Sequence, residues 1–380
     1  MGRPEPGSTD PTTGAPYVTY ESLYHSGDTV TQAMNRLTSR SVVTFPEGEF
    51  LFSDFAALTV GGIDTGAGIN LQNNLLAGIW GSGRGTFGGS DGTLFRMVEG
   101  SSTKGGIQAW TPTQAQGGTT QVSLLRAIGN AGLVLKNFRL RGSDQGHNFH
   151  GMNIGNQSGP VLIEDVLVAG WCGDNGAPPG ETSGIQLGMN SQYQPIVRRV
   201  ECDGRFALDG SSYGTVGIHL LKTLNGLVED CAVHHHRVSA ACVAYHSYGT
   251  HWLRTAMGGP TDVSGWPYNS ECSADVTIED CSFGSTDRTL HATWSTTTHS
   301  DTWNGTTHSS ANGHLLVKGC TWPVSSNYSG HFACQSWTSG IDGSNTDTMV
   351  DPPQVVDAAG TGLTYRWIHG THQDITSASL

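Results

Sequence analysis

Six segments of this chain superpose without gaps: Leu135-Lys-Asn-Phe-Arg-Leu140, Ile163-Glu-Asp-Val-Leu-Val168, Val197-Arg-Arg-Val-Glu-Cys202, Val228-Glu-Asp-Cys-Ala-Val233, Ile278-Glu-Asp-Cys-Ser-Phe283 and Val317-Lys-Gly-Cys-Thr-Trp322. Their first, fourth and sixth columns are apolar in every copy. Between the first and fourth columns stand one polar residue and one turn-prone residue, the latter being Asn137, Asp165, Arg199, Asp230, Asp280 and Gly319. Asn, Asp and Gly tolerate left-handed backbone angles, so the pattern predicts a strand that bends in mid-course while its flanking side chains still point inward. Arg199 is the member that fits least well.

Four of the copies are followed by a second short apolar strand, as in Gly151-Met-Asn-Ile154, Gly184-Ile-Gln-Leu187 and Gly217-Ile-His-Leu220, with looser echoes at Val243, Leu290 and Phe332. The first-column residues lie 28, 34, 31, 50 and 39 positions apart. A period near 30 with two or more short strands per turn predicts a parallel β-helix, in which each coil buries its apolar residues against its neighbours. The longer intervals then mark insertions, 245–271 and 292–313. Leucine-rich repeats and propellers are the competing repeat folds, and the chain lacks their asparagine-leucine and Trp-Asp signatures, which puts the β-helix ahead. The fold class expected is therefore all-β, a single-chain parallel solenoid.

Composition narrows the function. Lys+Arg 19 against Asp+Glu 32 gives a net charge of −13, which argues against nucleic acid as a partner. The 53 glycines favour turns over helix interiors. No apolar run approaches the roughly 20 residues of a membrane helix, so no membrane insertion is expected. The opening Met1-Gly-Arg-Pro-Glu-Pro-Gly7 has no apolar signal core, so export by the general secretory route is not expected.

Upstream of the repeats, Asp28 is placed to cap a short helix over Thr29–Leu37, with Val30, Ala33, Met34 and Leu37 on one face. A strand, tight turn and strand follow in 41–52, and Leu76-Ala-Gly-Ile-Trp-Gly-Ser-Gly83 supplies an early coil. This order of cap helix, Phe45-Pro-Glu-Gly-Glu-Phe50, Gly78-Ile-Trp-Gly-Ser-Gly83 and repeated Ile-Glu-Asp-Cys-Ser-Phe coils resembles the pectate-lyase-like right-handed β-helix proteins, particularly bacteriophage tail spikes and minor tail proteins. The resemblance covers about residues 28–340. It implies a homotrimer in the virion, contacting other tail proteins and reading a host-surface polysaccharide. The division it implies is an attachment arm over 1–27, a capping helix over 28–40, the β-helix over 41–340 and a cap or tail over 341–380.

Of eight cysteines, Cys231, Cys281 and Cys320 share one inward column and Cys202 occupies another, where they act as small buried hydrophobes. The state of Cys172, Cys242, Cys272 and Cys334 stays open. No Cys-x-x-Cys pair supports zinc, and neither a metal nor a cofactor is expected. The run His234-His-His236 reads as a solvated turn, because successive strand residues alternate faces and cannot all converge.

Enzyme signatures are sparse. Asn345-Thr-Asp347 matches one polygalacturonase element, but no Asp-Asp, Gly-His-Gly or Arg-x-Lys follows it. Trp367-Ile-His-Gly370 lacks the aspartate of the calcium-dependent lyases. The candidate catalytic group is Asp203, Arg205 and Asp209, where a carboxylate pair would serve as acid and base on a glycosidic bond; Asp174 with Glu181 is a second pair. Binding has firmer support. Tyr248, Trp252, Trp266 and Tyr268 in one insertion and Trp294 and Trp303 in the other stand among polar residues, as rings that stack on sugar faces do. Asn153, Gln186, His219 and His291 form an expected outward polar column that a glycan chain could follow. Three readings remain open: a glycan-recognising tail protein, a depolymerase on the same scaffold, and a structural tail component without glycan binding.

Overall fold

The chain turns where the repeat says it should. The computed structural model describes residues 3–52, 56–60, 63–70, 75–97, 122–128, 131–142, 150–155, 157–170, 183–191, 194–204, 214–244, 247–258, 266–271, 273, 276–284, 290–295, 300–303, 306–309, 315–321, 332–337, 354–357, 364–369 and 373–379. All six expected bend residues take the left-handed conformation, with φ of 57° at Asn137, 52° at Asp165, 51° at Arg199, 53° at Asp230, 52° at Asp280 and 64° at Gly319. At Gly319 a Cβ would lie 2.1 Å from Asp280 Oδ1, so a side chain there would require the Asp280 carboxylate to turn away. The strands stack almost wholly in parallel, and the chain is an all-β parallel solenoid. It divides into two compact units, residues 1–186 with 199–215 and residues 187–198 with 216–380. No helix among the described residues is long and apolar enough to cross a membrane.

In the first unit the strands Ser41–Thr44, Leu76–Trp80, Leu133–Arg141, Val161–Ala169 and Glu201–Asp203 pair rung upon rung. The register sets Ile163 on Leu135, Val166 on Phe138 and Val168 on both Leu140 and Cys202, as the repeat alignment requires. An aromatic stack fills the interior, with ring centroids at 4.6 Å for Tyr20–Phe45, 4.8 Å for Phe45–Phe95 and 5.4 Å for Phe95–Phe138. A second sheet runs in parallel through Ile63–Asn70, Val122–Ile128 and His150–Gly155.

The N-terminal segment forms part of this unit. Tyr17–Thr19 pairs in parallel with Ser41–Thr44, so it adds a strand to the first rung. Buried Asp10 accepts hydrogen bonds from Thr13 N at 2.7 Å and the Tyr17 hydroxyl at 2.8 Å. Burial, and then Asp10, push the Tyr17 hydroxyl well above its ordinary range. Arg3 donates to Glu21 and to the Thr44 carbonyl at 2.8 and 3.0 Å. The described part of 1–27, expected as an attachment arm, therefore packs on the first rung. The helix is only Val30–Met34, with Val30, Ala33, Met34 and Leu37 buried as expected. Its cap is Thr29, which accepts from Gln32 N at 3.2 Å while Gln32 Oε1 accepts from Thr29 N at 2.9 Å. Asp28 instead accepts from His25 N at 2.6 Å and pairs with Arg36 at 2.9 Å.

In the second unit Pro195–Arg198, Leu227–Glu229, His251–Leu253, Val276–Glu279, Leu315–Cys320 and Gln354–Asp357 stack in order. The expected insertion after Tyr245 is itself a rung. Trp252 pairs with Val228 on one side and Ile278 on the other, and the next bend residue is Arg254, with φ 47°. The interval of 50 is therefore two coils, hidden because Trp stands in the first column and Thr255 in the fourth. The stack also continues past residue 340, since Gln354–Asp357 and Thr364–His369 each pair with the preceding rung of their sheet. The boundary escaped the sequence because this coil has apolar strands but no bend motif.

Cys202, Cys231, Cys281 and Cys320 are buried free thiols. Cys231 donates to the Glu229 carbonyl at 3.2 Å, Cys281 to that of Glu279 at 3.3 Å, and the Thr255 hydroxyl to that of Leu253 at 3.1 Å. At these three bends the residue after the bend caps the carbonyl before it. A hydrogen bond with Cys320, together with burial, holds the Cys281 thiol far above its ordinary range. Cys172 and Cys272 lie outside the described residues.

Because Trp252 is fully buried, Trp252→Ala is expected to cost about 3–5 kcal/mol of stability by urea unfolding. A loss below about 1 kcal/mol would place the indole at the surface instead.

Candidate functional site

Where one strand column points inward, its neighbours must point out. In the second unit the inward column is Val228, Trp252 and Ile278, and the outward ones are Leu227, His251 and Thr277 on one side and Glu229, Leu253 and Glu279 on the other. The bend column Asp230, Arg254, Asp280 borders the second of these. Arg254 binds Asp230 through two hydrogen bonds, at 2.6 and 2.9 Å, and lies 3.5 Å from Glu229. These contacts, Asp230 first, raise the guanidinium pKa. His251 Nε2 stands 3.2 Å from Glu279 Oε2. The side chains of Glu229 and Glu279 are 20 and 27% exposed, and that of Arg254 is 48% exposed. The result is an open strip of carboxylates, the Arg254 guanidinium and the His251 imidazole interleaved with Leu227 and Leu253, one rung every ~4.8 Å. Its acceptors and donors match the rim of a sugar, and its leucines match the apolar ring face.

The first unit closes the equivalent face. Glu164, 3% exposed, lies between Lys136 Nζ at 2.5 Å and the guanidinium of Arg199, which also holds Asp165 at 2.8 Å. The Asp165 hydrogen bond is the foremost cause that keeps the Arg199 guanidinium charged. Lys136 sits over the Trp80 ring, 4.4 Å from its centroid, and covers the one indole on that row.

Several expected site residues fall elsewhere. Trp252, Tyr248 and Tyr268 are buried in the stack, so they are core and not loop aromatics; Trp252 is corrected on that ground as a glycan contact. Asn153 and His219 are 3 and 2% exposed, and Gln186 is half-buried, so these three do not form an open groove. Parallel strands are commonly buried on both faces, which the alternation argument did not allow for. Trp266 pairs with Ser239, His291 with Asn269 and Ala333, Trp294 with Ser336, and Trp303 with Thr306; only their backbones are described. Asp203 ends the strand Glu201–Asp203 and is fully buried, which removes it from any open polymer-binding face. Arg205, Asp209, Asp174 and Glu181 lie outside the described residues.

The histidine run also differs from expectation. His235 takes φ 56°, which breaks the strand alternation and brings His234 Nδ1 to 2.9 Å from His235 Nδ1, while His236 is buried. The residues of the open strip were missed because Arg254 belongs to the unrecognised coil. The signal was present: Arg at a bend position already occurs at Arg199, and Glu-Asp recurs at 229–230 and 279–280.

These observations define a parallel β-helix with a polar, rung-spaced strip on one sheet. No family model matches the chain, and no curated protein matches it. Among solved structures it is similar to the catalytic domain of a GH87 alpha-1,3-glucanase in complex with tetrasaccharides, with TM-score 0.42 and 10% identity over 93% of this chain and 63% of that one. It is also similar to the catalytic unit of a thermostable GH87 alpha-1,3-glucanase from Streptomyces thermodiastaticus, with TM-score 0.36 and 11% identity over 88% and 71%. A third likeness is to ORF18 of Geobacillus virus E2, with TM-score 0.32 and 10% identity over 87% and 62%. The chain spans less than two-thirds of the length of the first of these proteins.

Arg199→Ala is expected to cost about 1–3 kcal/mol by chemical unfolding, since it strips one partner from a buried carboxylate. Arg199→Asn isolates that loss, because Asn accepts the left-handed backbone; equal stability of Asn and wild type would remove the ion pair as the cause.

Proposed function

We propose that the protein is a bacteriophage tail protein that binds a host-surface polysaccharide along the strip Leu227, Glu229, His251, Leu253, Arg254 and Glu279. The observation that carries this reading is the alternation of Glu229, Arg254 and Glu279 on successive rungs, beside Leu227 and Leu253. Two rungs span ~9.6 Å, so a linear polymer of disaccharide units can meet equivalent groups as it runs along the stack. The resemblance of the coil sequences to tail spikes and minor tail proteins supports placement in a virion. Half-exposed side chains already tied by hydrogen bonds lose little freedom when a ligand arrives, which favours binding.

A second reading is supported by the position of Glu229 and Glu279 in one column, two rungs apart. That backbone spacing of ~9.6 Å stands at the edge of the ~6.5–9.5 Å that separates the carboxyls of inverting glycosidases. It would make the protein a depolymerase on the same strip.

Retention on immobilised host polysaccharide tests the proposal. Arg254→Asn, which keeps a residue tolerant of the left-handed backbone, and Glu279→Gln are each expected to weaken retention at least tenfold while the fold is kept, and no new reducing ends are expected. Unchanged retention in both variants would overturn the binding strip. Reducing ends that appear with wild type and vanish in Glu229→Gln would establish the hydrolase.

A further inference from the structure

The second unit holds one group that glycan binding does not use. His234 ends the strand Ala232–His234, and His235 forms the corner that leads into His236–Ala244. At the same step after the sixth column, the first-unit coils carry Gly142, Gly170 and Gly204, and Gly170 takes φ 71°. His235 takes φ 56° where those coils use a residue without a side chain. That angle breaks the strand alternation between His234 and His235. Its consequence is visible: the two rings meet edge to face with centroids 5.0 Å apart, and their Nδ1 atoms are 2.9 Å from each other.

We propose that His234 and His235 form a binding site for a divalent transition-metal ion. With metal–nitrogen bonds of ~2.05 Å, two cis donors at a right angle stand about 2.9 Å apart, whereas tetrahedral donors stand about 3.3 Å apart. The observed spacing matches two cis positions of the tetragonal ions Cu2+ and Ni2+, reached by turning the rings so that both Nδ1 lone pairs face the ion, and Zn2+ needs the two nitrogens to move slightly apart as well. Cu2+ binds tightest, as the general order of affinities for nitrogen donors requires. Both rings are half-buried, so the site stays open to solvent while its donors stay fixed. One Nδ1 carries the proton of the hydrogen bond between the rings, and that proton moves to the Nε2 of the same ring when the ion takes both Nδ1 atoms.

Titration of the full chain with Cu2+, Ni2+ and Zn2+, each alone, by calorimetry and, for Cu2+, by electron paramagnetic resonance, tests this site. One saturable Cu2+ site per chain is expected, with splitting from two imidazole nitrogens. His234→Asn and His235→Gly are expected to weaken it at least tenfold, while exposed His25→Gln leaves it unchanged. Gly accepts the left-handed backbone, so the thermal midpoint of His235→Gly should equal or exceed that of wild type. Undiminished Cu2+ affinity in His235→Gly, or a spectrum with a single nitrogen, would overturn the proposal.

Discussion

Everything in this molecule depends on a strand that bends without leaving its ladder. A left-handed residue at a fixed step reverses the local pleat, so the chain turns a corner while backbone N–H and carbonyl groups on both sides still pair with the next rung. Asp230 N–H donates to the Leu253 carbonyl at 3.0 Å and Arg254 N–H to that of Glu279 at 2.9 Å, so even the bent residues are satisfied. A residue in this conformation costs about 1 kcal/mol or more, and a stack of them is tolerable only because each is fixed by neighbours above and below. The thiol or hydroxyl that follows the bend at Cys231, Thr255 and Cys281 secures the carbonyl before it.

Stacking also multiplies charge. Identical side chains on successive rungs stand ~4.8 Å apart, and a column of aspartates would repel along its length. The bend columns avoid this by alternation: Asp165 meets Arg199 in the first unit, and Asp230 meets Arg254 in the second. Arg199 and Arg254 trade some backbone comfort for that neutralisation. Buried Glu164 shows how strongly the first unit uses it, with a cation on either side.

The register of the rungs was legible in the sequence because three apolar columns and one turn residue repeat in a fixed frame. All six bend residues and the inward cysteines lie where that frame put them. The coil at Trp252 was not legible, since an indole among polar residues has the same signature whether it stacks on a sugar or fills a core. Nor was the burial of Asn153 and His219, because alternation specifies two faces without saying what covers the second. The histidine pair was lost to a single angle: strand alternation holds only while φ stays extended, and His235 departs from it.

Each unit also contains a reversal of strand direction. Ala56–Val60 runs antiparallel to Ile63–Asn70 in the first, and Gln373–Ser379 runs antiparallel to Thr364–His369 in the second. A parallel ladder propagates only by copying its own direction, so a reversed strand presents a mismatched template to any further coil. In the sheet to which both hairpins belong, a further coil would therefore have to pair antiparallel with a reversed strand, out of step with the parallel register of the other sheet.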